Sequence, residues 1–247
     1  MKYQNDIDKM NTNRNLFLMS LPIFVELLLQ LLVGNVDQMM VSRVSQPSVA
    51  AIVNANQIMN LVIIVLSMAS TAVTVILSQY LGAQDEKNAS RTCMVSLVLI
   101  GGVSLAATIL VFAGHTPLYR AIHVPEEVFD EASLYLLIVG AFILVQGLYL
   151  TFSAMIRAFA MVKEVMIISV IMNVMNIVGN AILINGWFGM PQLGAVGAAI
   201  STDISKLVGL ALMIGMFFKS RRVKMGMSYL RPFPVQILKN LCLLAIP

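Results

Sequence analysis

Long apolar stretches alternate with short polar ones along this chain, and six of the apolar stretches reach membrane-spanning length. A helix rises about 1.5 Å per residue, so about 20 apolar residues in succession cross a hydrocarbon layer. The pattern predicts helices near 16–41, 48–80, 92–113, 134–159, 165–185 and 193–218. The second is long enough to need a tilt or a bend. Breaker-rich loops separate them: "SRVSQP", "GAQDEKNASR", "GHTPLYRAIHVPEE", "AMVKE" and "NGWFGMPQ". The implied organisation is a polar tail over 1–15, a six-helix unit over 16–218, a basic connector over 219–238 and a new apolar run over 239–247. The fold class is an all-α integral membrane protein.

Composition strengthens this picture. Apolar residues make up 59% of the chain and charged residues 11%, against about 25% charged in an ordinary soluble domain. The first apolar run is too long for a signal-peptide core and has no early small-x-small cleavage site, so it is expected to stay as the first span. Sixteen Lys and Arg residues are distributed unevenly. Thirteen fall in the termini and in the loops after the second, fourth and sixth helices, whereas only Arg43 and Arg120 fall on the opposite side. Lys206 lies inside the sixth helix. The positive-inside rule then puts both termini in the cytoplasm of a multi-pass cell-membrane protein. The net charge of +4 is thereby a topology signal, and no nucleic-acid partner is expected. Residues 219–239 are basic and amphipathic and read as a connector lying on the lipid surface, with lipid sensing or partner binding as the other reading.

Chemistry of the soluble-enzyme kind is not signalled. There is no Gly-rich phosphate loop, no HExxH and no CxxC, and Cys93 and Cys242 lie in different apolar segments. His115 and His123 are isolated in a loop. Neither an enzyme activity nor a cofactor is expected.

The polar residues inside the spans are the candidates for function. A central charge costs roughly 2.5–3.5 kcal/mol, so such groups usually pair or line a cavity. In the first helix Glu26, Gln30 and Asp37 share one face, with Glu26 and Asp37 about 20° apart around the axis and about 16 Å apart along it. That stripe reads as a cavity wall, or as groups at wet helix ends and helix contacts. Asn173, Asn176 and Asn180 also lie on one face of the fifth helix, as glue between helices or as a wall for a cation or substrate. Asn54, Asn56, Gln57 and Asn60 add amides to the second helix. In the sixth, Gly194, Ala195, Gly197, Ala198 and Ala199 favour close packing. Asp203 and Lys206, at i and i+3, read as a mutually neutralising pair or as a proton relay.

Several stretches in order resemble the multidrug and toxic-compound extrusion (MATE) family. They are Pro22 followed by Val36-Asp37, "LSQYLGAQDEKNA", "EASLYLLIVGAFILVQGLYLTFSAMIRAFA" ending near Arg157, and "NVMNIVGNAILINGWFGMPQLGAVGAAIST". The resemblance covers about 14–247 and implies one six-helix lobe of a twelve-helix, two-lobe antiporter, the lobes being parallel repeats. It also explains an echo: "RNLFLMSLP" from Arg14 recurs in pattern as "KNLCLLAIP" from Lys239, 225 positions later. The chain then reads as the amino-terminal lobe and connector, with 239–247 the start of a seventh helix and the second lobe absent. The resemblance implies exchange of Na⁺ or H⁺ for amphipathic or cationic compounds. It implies a cation site on Asp37, Asn176, Asn180 and Thr202, with Asn180 standing where some relatives have Asp. Glu26, Gln30, Asn56 and Asn173 are expected at the substrate. An unpaired buried carboxylate at Asp37 would be relieved by a bound cation or proton, which is how ion and substrate would compete. Two rivals remain: a lipid-linked oligosaccharide flippase, whose cavity would need more Lys and Arg than Lys206 alone, and a non-transporting truncated membrane module.

Overall fold

In the computed structural model, residues 13–42, 46–121 and 125–245 are described. Arg43, His123, Pro247 and the side chains of Gln30 and Asp37 lie outside the described set. Among the described residues, α-helices follow in the order α1 (Asn13–Ser42), α2 (Gln46–Gly82), α3 (Glu86–Ala121), α4 (Glu126–Ala141), α5 (Ile143–Ala158), α6 (Val162–Asn185), α7 (Gly194–Ser220) and α8 (Val235–Ala245). Of these, α2, α3, α6 and α7 are each long and apolar enough to cross a membrane, and α4 with α5 forms a fifth span bent by 43°. The remaining long helix, α1, runs for 30 residues.

Packing joins both chain neighbours and helices far apart in sequence. The closest partnership is α6 with α7, while α1 lies chiefly on α6, and α2 touches α3, α4, α5 and α8. Large side chains turn outward as well as inward: Leu61 and Leu110 are each 68% exposed. In water that surface would be costly; in lipid it is the solvated face. Inside, Phe217 of α7 is gripped by Phe152 and Phe159 at ring-centroid distances of 5.4 and 5.6 Å.

Three differences from the sequence reading have physical causes. The third helix does not stop near Ala113 but continues through Gly114 and Pro117 to Ala121. Its extension is held by Tyr119, which is fully buried, donates to the Ala132 carbonyl at 2.8 Å and meets Phe129 edge-on. Tertiary contacts here override two helix breakers. The fourth span begins at Glu126 and breaks at Phe142, where Phe142 and Gln146 re-form turns onto Val139 and Phe142. The last helix starts at Val235, four residues ahead of 239, because the Pro234 carbonyl accepts from Ile237 and Leu238. Its residues Ile237 and Leu241 are buried.

At the start of α3, Asp85 accepts from the Asn88 backbone at 3.0 Å and its side chain at 2.7 Å, capping the helix. These bonds hold the Asp85 carboxyl below its ordinary value of 3.8. The sign follows: the cap's contribution is present above 3.8 and is lost as pH falls through the lower folded value.

The α6–α7 contact depends on missing side chains. A Cβ on Gly197 would lie 2.7 Å from the Leu183 carbonyl oxygen, and one on Gly179 would collide with Ser201. Backbone cannot step aside as a flexible side chain can. Replacing Gly197 with Val should therefore destabilise the lobe by about 1–3 kcal/mol, read as an earlier thermal transition in detergent. Gly101→Ala, where nothing lies within 4 Å, should not. Equal melting of the two variants would contradict this packing.

Candidate functional site

The polar stripe of α6 meets α7 at Asn176. Its Nδ2 donates to Thr202 Oγ1 at 3.0 Å, its Oδ1 accepts from Asn180 Nδ2 at 3.4 Å, and its backbone carbonyl accepts from Ser201 Oγ at 2.9 Å. Spacings of i, i+4 put both amides on one helix face, and the small residues of α7 let Thr202 come within reach. Three of the four residues expected at a cation site are thus joined in one network. The fourth, Asp37, is placed in α1 but its side chain is outside the described residues.

In front of this network is a cavity of about 350 Å³ between α2, α4, α5, α6 and α7. Amides and hydroxyls furnish much of its wall, including Asn56, Gln146, Tyr149, Asn173, Asn176 and Thr202, with Met59, Ile63 and Met172 supplying apolar surface. Asn173 is 7% exposed, and its amide nitrogen has no hydrogen-bond partner among the described residues. Lys206 also lines the cavity.

A second polar assembly ties three helices together. Arg157, near the end of α5, places Nη2 2.7 and 2.9 Å from the two carboxylate oxygens of Glu26 on α1. Ser169 of α6 donates to Glu26 Oε1 at 3.1 Å, and Tyr149 of α5 lies 3.0 Å from Ser169 Oγ. Glu26 is 3% exposed and Arg157 31%, so the pair reaches from the interior towards the end of the bundle. Tyr149 belongs to both assemblies.

The structure corrects one expectation. Glu26, expected to face a ligand, is neutralised by Arg157 and does not line the cavity. Asp203 and Lys206 are not hydrogen-bonded to each other, since both Asp203 oxygens are buried without a hydrogen-bond partner among the described residues, but the Lys206 charge acts on Asp203. Lys206 also lines the cavity, so the neutralising pair and the relay both stay open. Asn56, Asn173, Asn176 and Thr202 do share the cavity, with Asn180 attached through Asn176. Sequence reasoning missed Gln146 and Tyr149. Their signal was an i, i+3 pair of polar groups inside an otherwise apolar span.

Spanning helices with lipid-facing apolar surfaces, wrapped around a polar cavity, define a multi-pass membrane protein with the architecture of a transporter lobe. Residues 22–182 match the MatE family, and the chain belongs to that family. It is 36% identical over 233 residues to the "Uncharacterized transporter YisQ" of Bacillus subtilis, covering 94% of this chain and 51% of that protein. It is 27% identical over 226 residues to the "Probable multidrug resistance protein NorM" of Thermotoga maritima, covering 89% and 47%. A solved structure titled "Crystal structure of MATE in the bent conformation" superposes with a TM-score of 0.84 at 22% identity, covering 93% of this chain and 50% of that one. The chain spans about half the length of the curated relatives it matches, as one lobe of that two-lobe fold does.

Removing Arg157 would leave Glu26 buried and uncompensated, which typically costs about 3–5 kcal/mol in a dry interior. Because Arg157 is partly exposed, the lower end, about 3 kcal/mol, is expected for Arg157→Ala, with partial recovery in the Arg157→Ala, Glu26→Gln double variant. Chemical denaturation of the four variants of this cycle checks it. An unchanged midpoint for Arg157→Ala would mean that the pair does not stabilise the lobe.

Proposed function

We propose that this chain is the amino-terminal lobe of a cation-coupled antiporter that exports amphipathic or cationic compounds, with Na⁺ or H⁺ as the coupling ion. The observation that carries the reading is the Asn176–Thr202–Asn180 network standing against the 350 Å³ cavity. Asp37 supplies the negative charge of the ion site, and the neutral oxygens of Asn176, Asn180 and Thr202 complete it. Amide walls and the Met59, Ile63 and Met172 surface suit compounds with a flat apolar body and scattered polar groups. Asn56 and Asn173 contact the compound directly, and Asn173 has an amide nitrogen to offer it.

A second lobe of the same architecture completes the transporter, in keeping with the half-length match to relatives. Both termini lie in the cytoplasm, as the thirteen basic residues on their side favour. An ion entering at Asp37 favours one conformation of the lobe and a compound entering the cavity favours another, so each weakens the other's hold.

The test is efflux of ethidium from proteoliposomes holding the full-length protein under an imposed Na⁺ or pH gradient. Asp37→Asn should abolish gradient-driven efflux while leaving membrane insertion unchanged, and Asn176→Ala should slow it about tenfold, equivalent to about 1.4 kcal/mol. Undiminished efflux by Asp37→Asn would overturn the ion-site assignment.

A further inference from the structure

The chain of hydrogen bonds from Arg157 to Tyr149 has a direction, set by its most restricted member. A carboxylate paired with a guanidinium offers only lone pairs, and the guanidinium only hydrogens. Arg157 and Ser169 therefore both donate to Glu26. Ser169 has one hydroxyl hydrogen, and Glu26 Oε1 takes it. Across the 3.0 Å contact with Tyr149, Ser169 is left as the acceptor. Tyr149 accordingly gives its own single hydrogen to Ser169, and its oxygen keeps lone pairs alone.

This matters because Tyr149 lines the cavity. Asn and Gln side chains can turn to donate or accept, so Asn56, Gln146 and Asn173 set no sense of hydrogen bonding, and the Asn176 amide is engaged by Thr202 and Asn180. Lys206 donates only. Two lining hydroxyls have their sense fixed the other way: Ser205, which donates to the Ser201 carbonyl at 2.8 Å, and the larger Tyr149, fixed by a carboxylate two bonds away in the chain. Resting on the transport reading above, we infer that Tyr149 is a specificity-determining residue that accepts a hydrogen bond from the ligand. The cavity then prefers protonated amines to quaternary ammonium ions of similar size and charge. Ser169 and Glu26 are positioning residues for that preference and touch no ligand themselves.

Two dyes isolate the effect. Acridine orange at neutral pH is a flat monocation with a ring N–H; its 10-methyl derivative is a flat monocation without one. The Lys206 charge acts on both alike and cancels in the ratio of affinities. Fluorescence titration of the full-length protein in nanodiscs should give acridine orange a dissociation constant about tenfold lower, a difference of about 1.4 kcal/mol. Tyr149→Phe should bring the ratio to about one by weakening acridine orange alone. Ser169→Ala should also lower the ratio, because it frees the Tyr149 hydroxyl to donate, while leaving affinity for the methylated dye unchanged. A purely structural role for Ser169 would weaken both dyes together. Should Ser169→Ala fail to fold, Tyr149→Phe decides the matter.

Equal binding of the two dyes by the unaltered protein overturns the inference while leaving the cavity reading in place. So does a preference that survives Tyr149→Phe, which would mark the methyl group as a steric obstacle. Binding of neither dye overturns the reading of the cavity as a site for amphipathic cations, and this inference with it.

Discussion

A polar side chain inside the hydrocarbon layer has no water to bond with, so it must find its partner in protein. The lobe is assembled around that constraint. Its apolar surface gains little from helix association, because lipid tails solvate Leu61 or Leu110 as well as a neighbouring helix does. What singles out one arrangement of helices is close backbone approach and the pairing of polar groups. The Gly197 backbone against the Leu183 carbonyl, and Asn176 against Thr202, fix α6 on α7. Glu26 against Arg157 and Ser169 fixes α1 on α5 and α6. The two assemblies are not independent, since Tyr149 reaches from the second into the wall of the cavity.

That arrangement gives the cavity its character. Carboxylates elsewhere in the described bundle are kept out of it: Glu26 is neutralised at the end of the bundle and Asp203 is buried between helices. The described wall sets amides and hydroxyls into a larger apolar surface, with Lys206 adding a charge, and such a wall can satisfy many ligand shapes.

The sequence made the helices legible because hydrophobic runs of this length have one common cause. It failed where a long-range contact overruled a local signal. Gly114 and Pro117 look like the end of a helix, and only the burial of Tyr119 against Ala132 and Phe129 explains why α3 continues. The break at Phe142 has no proline to announce it. For the site, the register of Asn176 and Asn180 was readable from i, i+4 spacing, and Thr202 joined them through resemblance. The partnership of Glu26 with Arg157 spans 131 positions, so spacing says nothing about it. The available clue was position: Glu26 lies nearer the basic end, and Arg157 closes a helix there. Asp203 and Lys206, three positions apart, interact through charge as their spacing suggested, without a hydrogen bond, and the structure adds that Lys206 also lines the cavity.

In the proposed antiporter an ion and an amphipathic compound compete through this one lobe, so bound cation must leave as the compound binds. The most direct measurement is the release of bound cation when the compound binds. The full-length protein in detergent would be titrated with ethidium in weakly buffered solution, with a pH electrode and a Na⁺-selective electrode reading the same cell. Competition requires release of H⁺ or Na⁺ in step with dye bound, and loss of that release in Asp37→Asn. Tight dye binding with neither ion released would contradict it.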